Sequence, residues 1–144
     1  MNAALVDTGP LVAYLHRRDR FHGWAVEQFK HQPFPLLTCE AVLTEACHLV
    51  RKLVGGCSLI MKLLEEKVVA NGFELAEETQ AVSALMTRYQ RVPMSLADAC
   101  LVRMAELRDR ANILTIDSDF VFYRKHGRKV IPTIMPDLSK ENES

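Results

Sequence analysis

What the sequence lacks narrows its class first. No apolar run approaches the roughly 20 residues that a membrane helix needs, and no basic segment followed by an apolar core opens the chain. A leader peptide is therefore not expected, and the chain is read as cytoplasmic with no membrane partner. Net charge is absent as well, since 18 Lys and Arg balance 18 Asp and Glu. That excludes a wholesale electrostatic grip on nucleic acid, though not a local basic face. The four cysteines, Cys39, Cys47, Cys57 and Cys100, form no CxxC pair and show no zinc-type spacing. All four are expected to be reduced and structural, because a thiol within a helical pattern acts as a small apolar side chain. Internal repeats and low-complexity segments are also missing.

What remains is the composition of an ordinary globular domain, 49% hydrophobic and 25% charged, in a chain of 144 residues that is long enough to bury its own core. One domain is expected over 1–136, with a polar, frayed tail over 137–144. The chain opens on a short apolar run, Ala3-Ala4-Leu5-Val6, that stops at Asp7 and is followed at once by Thr8-Gly9-Pro10. Such a run bounded by turn residues predicts a buried strand of a parallel sheet. Thr8 is the expected cap of the next helix, which accepts Pro10 in its opening turn.

Further helices are predicted over 21–31, 39–54, 57–70, 77–90 and 95–110, with short strands at 36–38, 73–75, 113–116 and 130–131. Gly55-Gly56 and Asn71-Gly72 are read as helix stops. Strands alternating with helices or helix pairs argue for an α/β fold with a parallel sheet covered on both faces.

The chemistry lies in the carboxylates. Asp7 and Asp117 each follow an apolar strand, where ligands bind in open α/β sheets; the plainer reading of either alone is a turn residue or helix cap. Glu45 falls within the stripe Val42, Ala46, Leu49, Val50 and Leu53, so it is expected to face the core. There it needs a cation, either a basic side chain or a metal. Ser95-Leu96-Ala97-Asp98 fits a capping box, yet Asp98 also shares a face with Met94, Leu101, Val102 and Ala105. Asp119 either caps a helix or extends the acidic set.

If Asp7, Glu45, Asp98 and Asp117 converge, they need raised pKa values or bound cations. Oxygen donors without His or Cys select hard ions, Mg²⁺ or Mn²⁺, and such ions suit phosphodiester hydrolysis. Thr8, Ser95 and Thr115 are then close enough to orient waters or the phosphate.

These residues carry a resemblance. Asp7-Thr8-Gly9 after the first strand, Glu45 on the third helix, Ser95-Leu96-Ala97-Asp98-Ala99, and Thr115-Ile116-Asp117-Ser118-Asp119-Phe120 are similar in order and spacing to a PIN domain, in particular to VapC-type toxins. The resemblance covers the chain to about residue 135. It implies a three-layer α/β/α fold with about five parallel strands, and a ribonuclease that uses Mg²⁺ or Mn²⁺. Asp7, Glu45, Asp98 and Asp117 would be the catalytic and metal-binding set, with Asp119 accessory. It also implies an RNA substrate, an antitoxin partner and a homodimer. Trp24, Phe29 and the fourth helix are candidates for the partner surface. Many relatives carry Ser or Asn where Gly9 stands, which removes one polar contact here.

Other readings fit less well. Asp-Thr-Gly also marks aspartic proteases, but these need two such carboxylates in an all-β fold. Glu45-Ala46-Cys47-His48 imitates half of a di-iron site whose second Glu-x-x-His is missing, so His48 is expected to be a core or interface residue. A phosphatase would want a second Asp where Gly9 stands, and a receiver domain an acidic pair near the end of the first strand. The serious alternatives are a PIN-like domain that binds RNA or protein without cutting, and a housekeeping PIN ribonuclease. The basic runs Arg17-Arg18-Arg20, Arg51-Lys52 and Arg124-Lys125-Arg128-Lys129 could hold RNA phosphates, or simply be solvated helix ends.

Overall fold

The computed structural model describes residues 2–138, so residues 139–144 of the expected tail lie outside the described residues. Strands β1 (Ala3–Val6), β2 (Leu36–Thr38), β3 (Val69–Asn71) and β4 (Ala111–Leu114) are followed by a separate antiparallel hairpin, β5 (Arg124–Lys125) and β6 (Lys129–Val130), and by β7 (Thr133–Ile134). Five of them form one parallel sheet in the order β3-β2-β1-β4-β7. Helices α1 (Thr8–Leu15), α2 (His22–His31), α3 (Glu40–Leu49), α4 (Cys57–Glu65), α5 (Leu75–Arg88) and α6 (Leu96–Glu106) complete the three-layer α/β/α arrangement. No helix among the described residues is long and apolar enough to cross a membrane.

The topology decides where a site can lie. The chain runs outward from β1 to β3, then returns to place β4 on the other side of β1. Strand order reverses there, and the crevice outside the carboxyl ends at such a point is the usual ligand position in open α/β sheets. The register Ala3↔Ala111 to Val6↔Leu114 brings the two strand ends level, and the Asp7 N–H donates to the Leu114 carbonyl at 2.9 Å. Both strands are short and aliphatic because both faces are covered: Leu5, Val6, Ile113 and Leu114 have no exposed surface. Helix α6 is apolar nearly all round, and Ala97 to Val102 are buried without a break. It therefore sits inside the molecule, packed against β1, β4 and α5.

Several expectations are corrected. Asp7, not Thr8, caps α1; its Oδ1 accepts the Thr8 N–H at 2.8 Å, and Thr8 is the first helical residue. Helix α3 ends at Leu49 rather than at 54, because turns occupy the approach to Gly55 and Gly56, both at positive φ. The third strand is Val69–Asn71 rather than 73–75. Helix α4 stops at Glu65, Lys67 turns the chain at φ 58°, and Gly72 donates to Thr38 O at 2.8 Å, which carries the ladder past Asn71. A Cβ at Gly72 would come within 3.2 Å of Leu37 Cβ, so the chain passes close to β2 there. The edge strand is Thr133–Ile134 rather than 130–131, since Lys129 and Val130 pair within the hairpin. Strand β4 ends at Leu114, so Asp117 stands three residues beyond it.

The cysteines are not all reduced. Cys47 and Cys57 form a disulfide that joins the last turn of α3 to the start of α4, while Cys39 and Cys100 are free and buried. No CxxC spacing announces this pair; the turn over residues 50–56 is what brings the two thiols together. Phe29 is also no partner surface, because it is buried and stacked on Tyr14 at 4.2 Å.

Candidate active site

At the carboxyl ends of β1 and β4 lies an open cavity of about 510 Å³. Asp7, Glu45, Asp98, Asp117 and Asp119 all line it, together with Thr8 and Ser95, and none of its lining residues is basic. Strand β1 and the start of α1 supply Asp7 and Thr8. Helix α3 supplies Glu45, the first turn of α6 supplies Asp98, and the loop after β4 supplies Asp117 and Asp119. These segments are far apart in sequence and meet because the sheet reverses its order between β1 and β4.

Asp7 is 7% exposed and fully engaged. Its Oδ1 accepts from the Thr8 N–H, and its Oδ2 accepts from Thr115 Oγ1 at 2.8 Å. Thr115 in turn accepts the Asp117 N–H at 2.9 Å. It does not line the cavity; it lies beneath, fully buried, and ties the ends of the two strands together. Burial pushes the Asp7 carboxyl up from 3.8 to about 6, against the lowering effect of the Thr115 and Thr8 hydrogen bonds, with the charges of Asp98 and Asp117 adding to the rise.

Asp98 plays both of its expected parts. Ser95 Oγ accepts the Asp98 N–H at 3.0 Å, as a capping box requires, while the carboxylate lines the cavity. Its Oδ2 also accepts from Tyr123 Oη at 2.9 Å. Burial raises its pKa, the Tyr123 hydrogen bond opposes this, and the Asp117 charge adds to the rise. Tyr123 has no exposed surface and meets Phe120 and Tyr89 edge-on. Sequence reasoning missed Tyr123. The signal available was Phe120-x-x-Tyr123, two rings close in sequence that meet 5.3 Å apart as the chain leaves the 3₁₀ turn Ser118–Val121.

Asp117 caps that turn, its Oδ1 accepting the Asp119 N–H at 2.9 Å, so Asp119 is not the cap. Oxygens of Asp98, Asp117 and Asp119 all come within 4.8 Å of one another, a spacing that one cation could bridge. Asp119, expected to be accessory, thus belongs to the tightest group, whereas Asp7 and Glu45 lie on the same cavity outside it. Glu45 does not face the core. The buried face of α3 is Val42 and Ala46, continued by Val50, and Glu45 is exposed on the neighbouring face beside Leu49, itself 51% exposed. It needs no buried partner and forms part of the cavity wall. His48, one turn from Thr44, is exposed rather than in the core.

Two further features bear on a cation. Thr8 Oγ1 is buried on this cavity and has no hydrogen-bond partner among the described residues. An orphaned hydroxyl of this kind suits a bound water or phosphate oxygen. Five carboxylates without a basic neighbour, two of them with raised pKa values, also leave a deficit of positive charge that a hard ion would fill. The residues present therefore fit a Mg²⁺- or Mn²⁺-type ion. Gly9 sits where the wall is close: a Cβ there would meet Ile116 Cδ1 at 3.3 Å.

No curated protein matches the chain in sequence. In structure it is similar to Mycobacterium tuberculosis VapC20, a toxin that cleaves the sarcin-ricin loop, with a TM-score of 0.70 at 20% identity over 81% of this chain and 92% of that one. Likeness at that identity speaks to the fold. The PIN domain matches residues 4–126, a span that contains β4, all of β1 but its first residue, and all five carboxylates of the cavity. Strand order, site position and sequence match thus agree, and the chain belongs to the PIN domain family.

Proposed function

We propose that the chain is a divalent-metal-dependent endoribonuclease, the toxin of a toxin–antitoxin pair. The observation that carries this reading is the convergence of Asp7, Glu45, Asp98, Asp117 and Asp119 on one cavity that no basic side chain lines. Membership of the PIN domain family supports it, as does the likeness in fold to a toxin that cleaves the sarcin-ricin loop. Mg²⁺ or Mn²⁺ is the expected ion, because every donor is an oxygen. Asp98, Asp117 and Asp119 would hold it, with Asp7 as the ligand at the strand ends.

When bound, such an ion lowers the pKa of a water and stabilises charge on the phosphoryl oxygens. The other work falls to the chain. Thr115 holds Asp7 and the Asp117 backbone in one geometry. Ser95 and Tyr123 hold Asp98 from its backbone and from one carboxylate oxygen. Thr8 Oγ1, buried and without a partner, would donate to the water or the phosphate once a small shift opened it to the cavity. Glu45, on the exposed wall of the cavity, would add a further carboxylate oxygen for the ion or for a water bound to it.

Lys125 is removed from the basic residues that could grip RNA. It is 8% exposed, and its Nζ donates to Ala105 O at 3.0 Å and Arg108 O at 3.3 Å. An antitoxin partner and a homodimer belong to the same proposal, and membership of the family supports them.

Labelled RNA incubated with the purified protein in Mn²⁺ and then in EDTA tests the activity. Cleavage is expected only with the metal, and is expected to be lost in Asp98→Asn. Equal cleavage in EDTA, or full activity in Asp98→Asn, would overturn the mechanism. Binding without cleavage at any metal concentration would favour the non-cutting alternative. Growth arrest on expression, relieved by the product of a small neighbouring reading frame, separates a toxin from a housekeeping nuclease.

A further inference from the structure

The acidic cavity is not closed on its α3 side. Glu45 and Ser95 also stand in the wall of a second cavity, about 620 Å³, that continues between α3 and the start of α6. The chemistry changes across this shared wall. The second cavity is mainly apolar, with Ala41, Ala97 and Leu96 in its lining, and Thr44 and His48 add polar groups.

Arg51 lies against His48. Its Nη1 lies 3.2 Å from His48 Nε2 and donates to the His48 carbonyl at 2.8 Å. A guanidinium has only donors, so His48 Nε2 is the acceptor in this contact. Arg51 joins none of the ion pairs found among the described residues. Its charge and its remaining N–H groups are therefore available. The Cys47–Cys57 bond closes the segment that carries both residues, which limits its freedom before anything binds.

We infer that this second cavity seats the nucleotide flanking the scissile bond, with RNA crossing from one cavity to the other over Glu45 and Ser95. The inference rests on the nuclease reading and adds a binding subsite to it. Unpaired bases are held by stacking on flat side chains, histidine included, and by apolar contact with their ring faces. His48 and the Ala41–Ala97–Leu96 surface supply both. The adjoining phosphate needs a cation, and Arg51 offers one with N–H groups to spare. The unpaired charge of Arg51 beside this wall favours a nucleotide, whose phosphate complements it, over a neutral protein segment.

The test is anisotropy of a fluorescein-labelled single-stranded RNA in EDTA across a salt series, with Mn²⁺ affinity read separately by electron paramagnetic resonance. Arg51→Gln is expected to reduce the slope of log K against log salt by about 1. His48→Ala is expected to weaken binding about tenfold, consistent with the loss of one stacking contact, and His48→Tyr to restore it. Mn²⁺ affinity is expected to stay unchanged in all three. Wild-type affinity and slope in both Arg51→Gln and His48→Ala would overturn the inference. So would a change in oligomeric size with RNA binding intact, since that would mark the groove as a protein interface. If the wild type cuts RNA and the variants keep its KM, the subsite alone fails. If RNA binding depends on His48 and Arg51 but no cleavage occurs with any metal, the nuclease reading fails and the subsite stands.

Discussion

Asp7→Asn is expected to make the metal-free protein more stable. The folded chain holds the Asp7 carboxyl near 6 against an ordinary 3.8, so the folded state binds its proton more tightly than the unfolded state does. That stabilising effect is complete below about pH 3.8 and is lost as pH rises through about 6. By pH 7.5 the buried charge costs about 3 kcal/mol relative to the neutral acid. Asparagine removes the charge and keeps the shape. Its carbonyl still accepts the Thr8 N–H, but its NH₂ now faces Thr115 Oγ1, which must accept from both the introduced amide and the Asp117 N–H and leaves its own hydrogen unmatched. That mismatch costs about 1 kcal/mol. The net gain is about 2 kcal/mol, or roughly 7 °C in Tm for a chain of this size. The assay is thermal unfolding of both proteins in EDTA from pH 4 to pH 8. The advantage of Asp7→Asn is expected at pH 7.5 and should vanish near pH 4, while added Mn²⁺ should raise the Tm of the wild type more than that of the variant. A variant no more stable than wild type at pH 7.5, or an advantage that does not shrink in acid, would refute the reasoning.

Two more predictions concern residues that support the site from behind. Tyr123→Phe deletes one hydrogen bond to Asp98 without changing the packing of the ring; Mn²⁺ affinity is expected to fall about tenfold, and an unchanged affinity would show that Asp98 is positioned without it. Lys125→Met removes two charge-assisted bonds to the carboxyl end of α6; urea unfolding is expected to show a loss of about 2 kcal/mol, and a stabilised variant would mean that desolvation of the ammonium outweighs them.

How far the sequence could be read depended on whether a feature was local. The strand ending at Asp7 and the Ser95–Asp98 capping box are short-range patterns, and both stand in the structure as read. Helix α6 was legible because Ser95 marks its start and Leu101, Val102 and Ala105 form an apolar face at helical spacing. Glu45 was misjudged because a stripe at helical spacing does not say which edge of the stripe is covered: Val42, Ala46 and Val50 are buried, while Leu49 beside Glu45 is open. The third and last sheet strands were misplaced by a few residues. An apolar triplet such as Phe73-Glu74-Leu75 resembles a strand, but pairing with β2 is made by Val69–Asn71. The Cys47–Cys57 pair lay beyond sequence reading because the turn that joins the two thiols has no pattern of its own.

The sequence by itself determined the alternation of strands and helices and the kinds of donor available, since both follow from residue type and spacing along the chain. Only the tertiary structure decided which carboxylates meet. The reversal of strand order beside β1 brings Asp7 level with the end of β4, and the 3₁₀ turn after β4 places Asp119 beside Asp98 and Asp117. It also decided what stands behind them. A hydroxyl from Thr115 and another from Tyr123 reach carboxylates 108 and 25 residues away in sequence, and contacts at such distances are set by packing, not by any local preference of the chain.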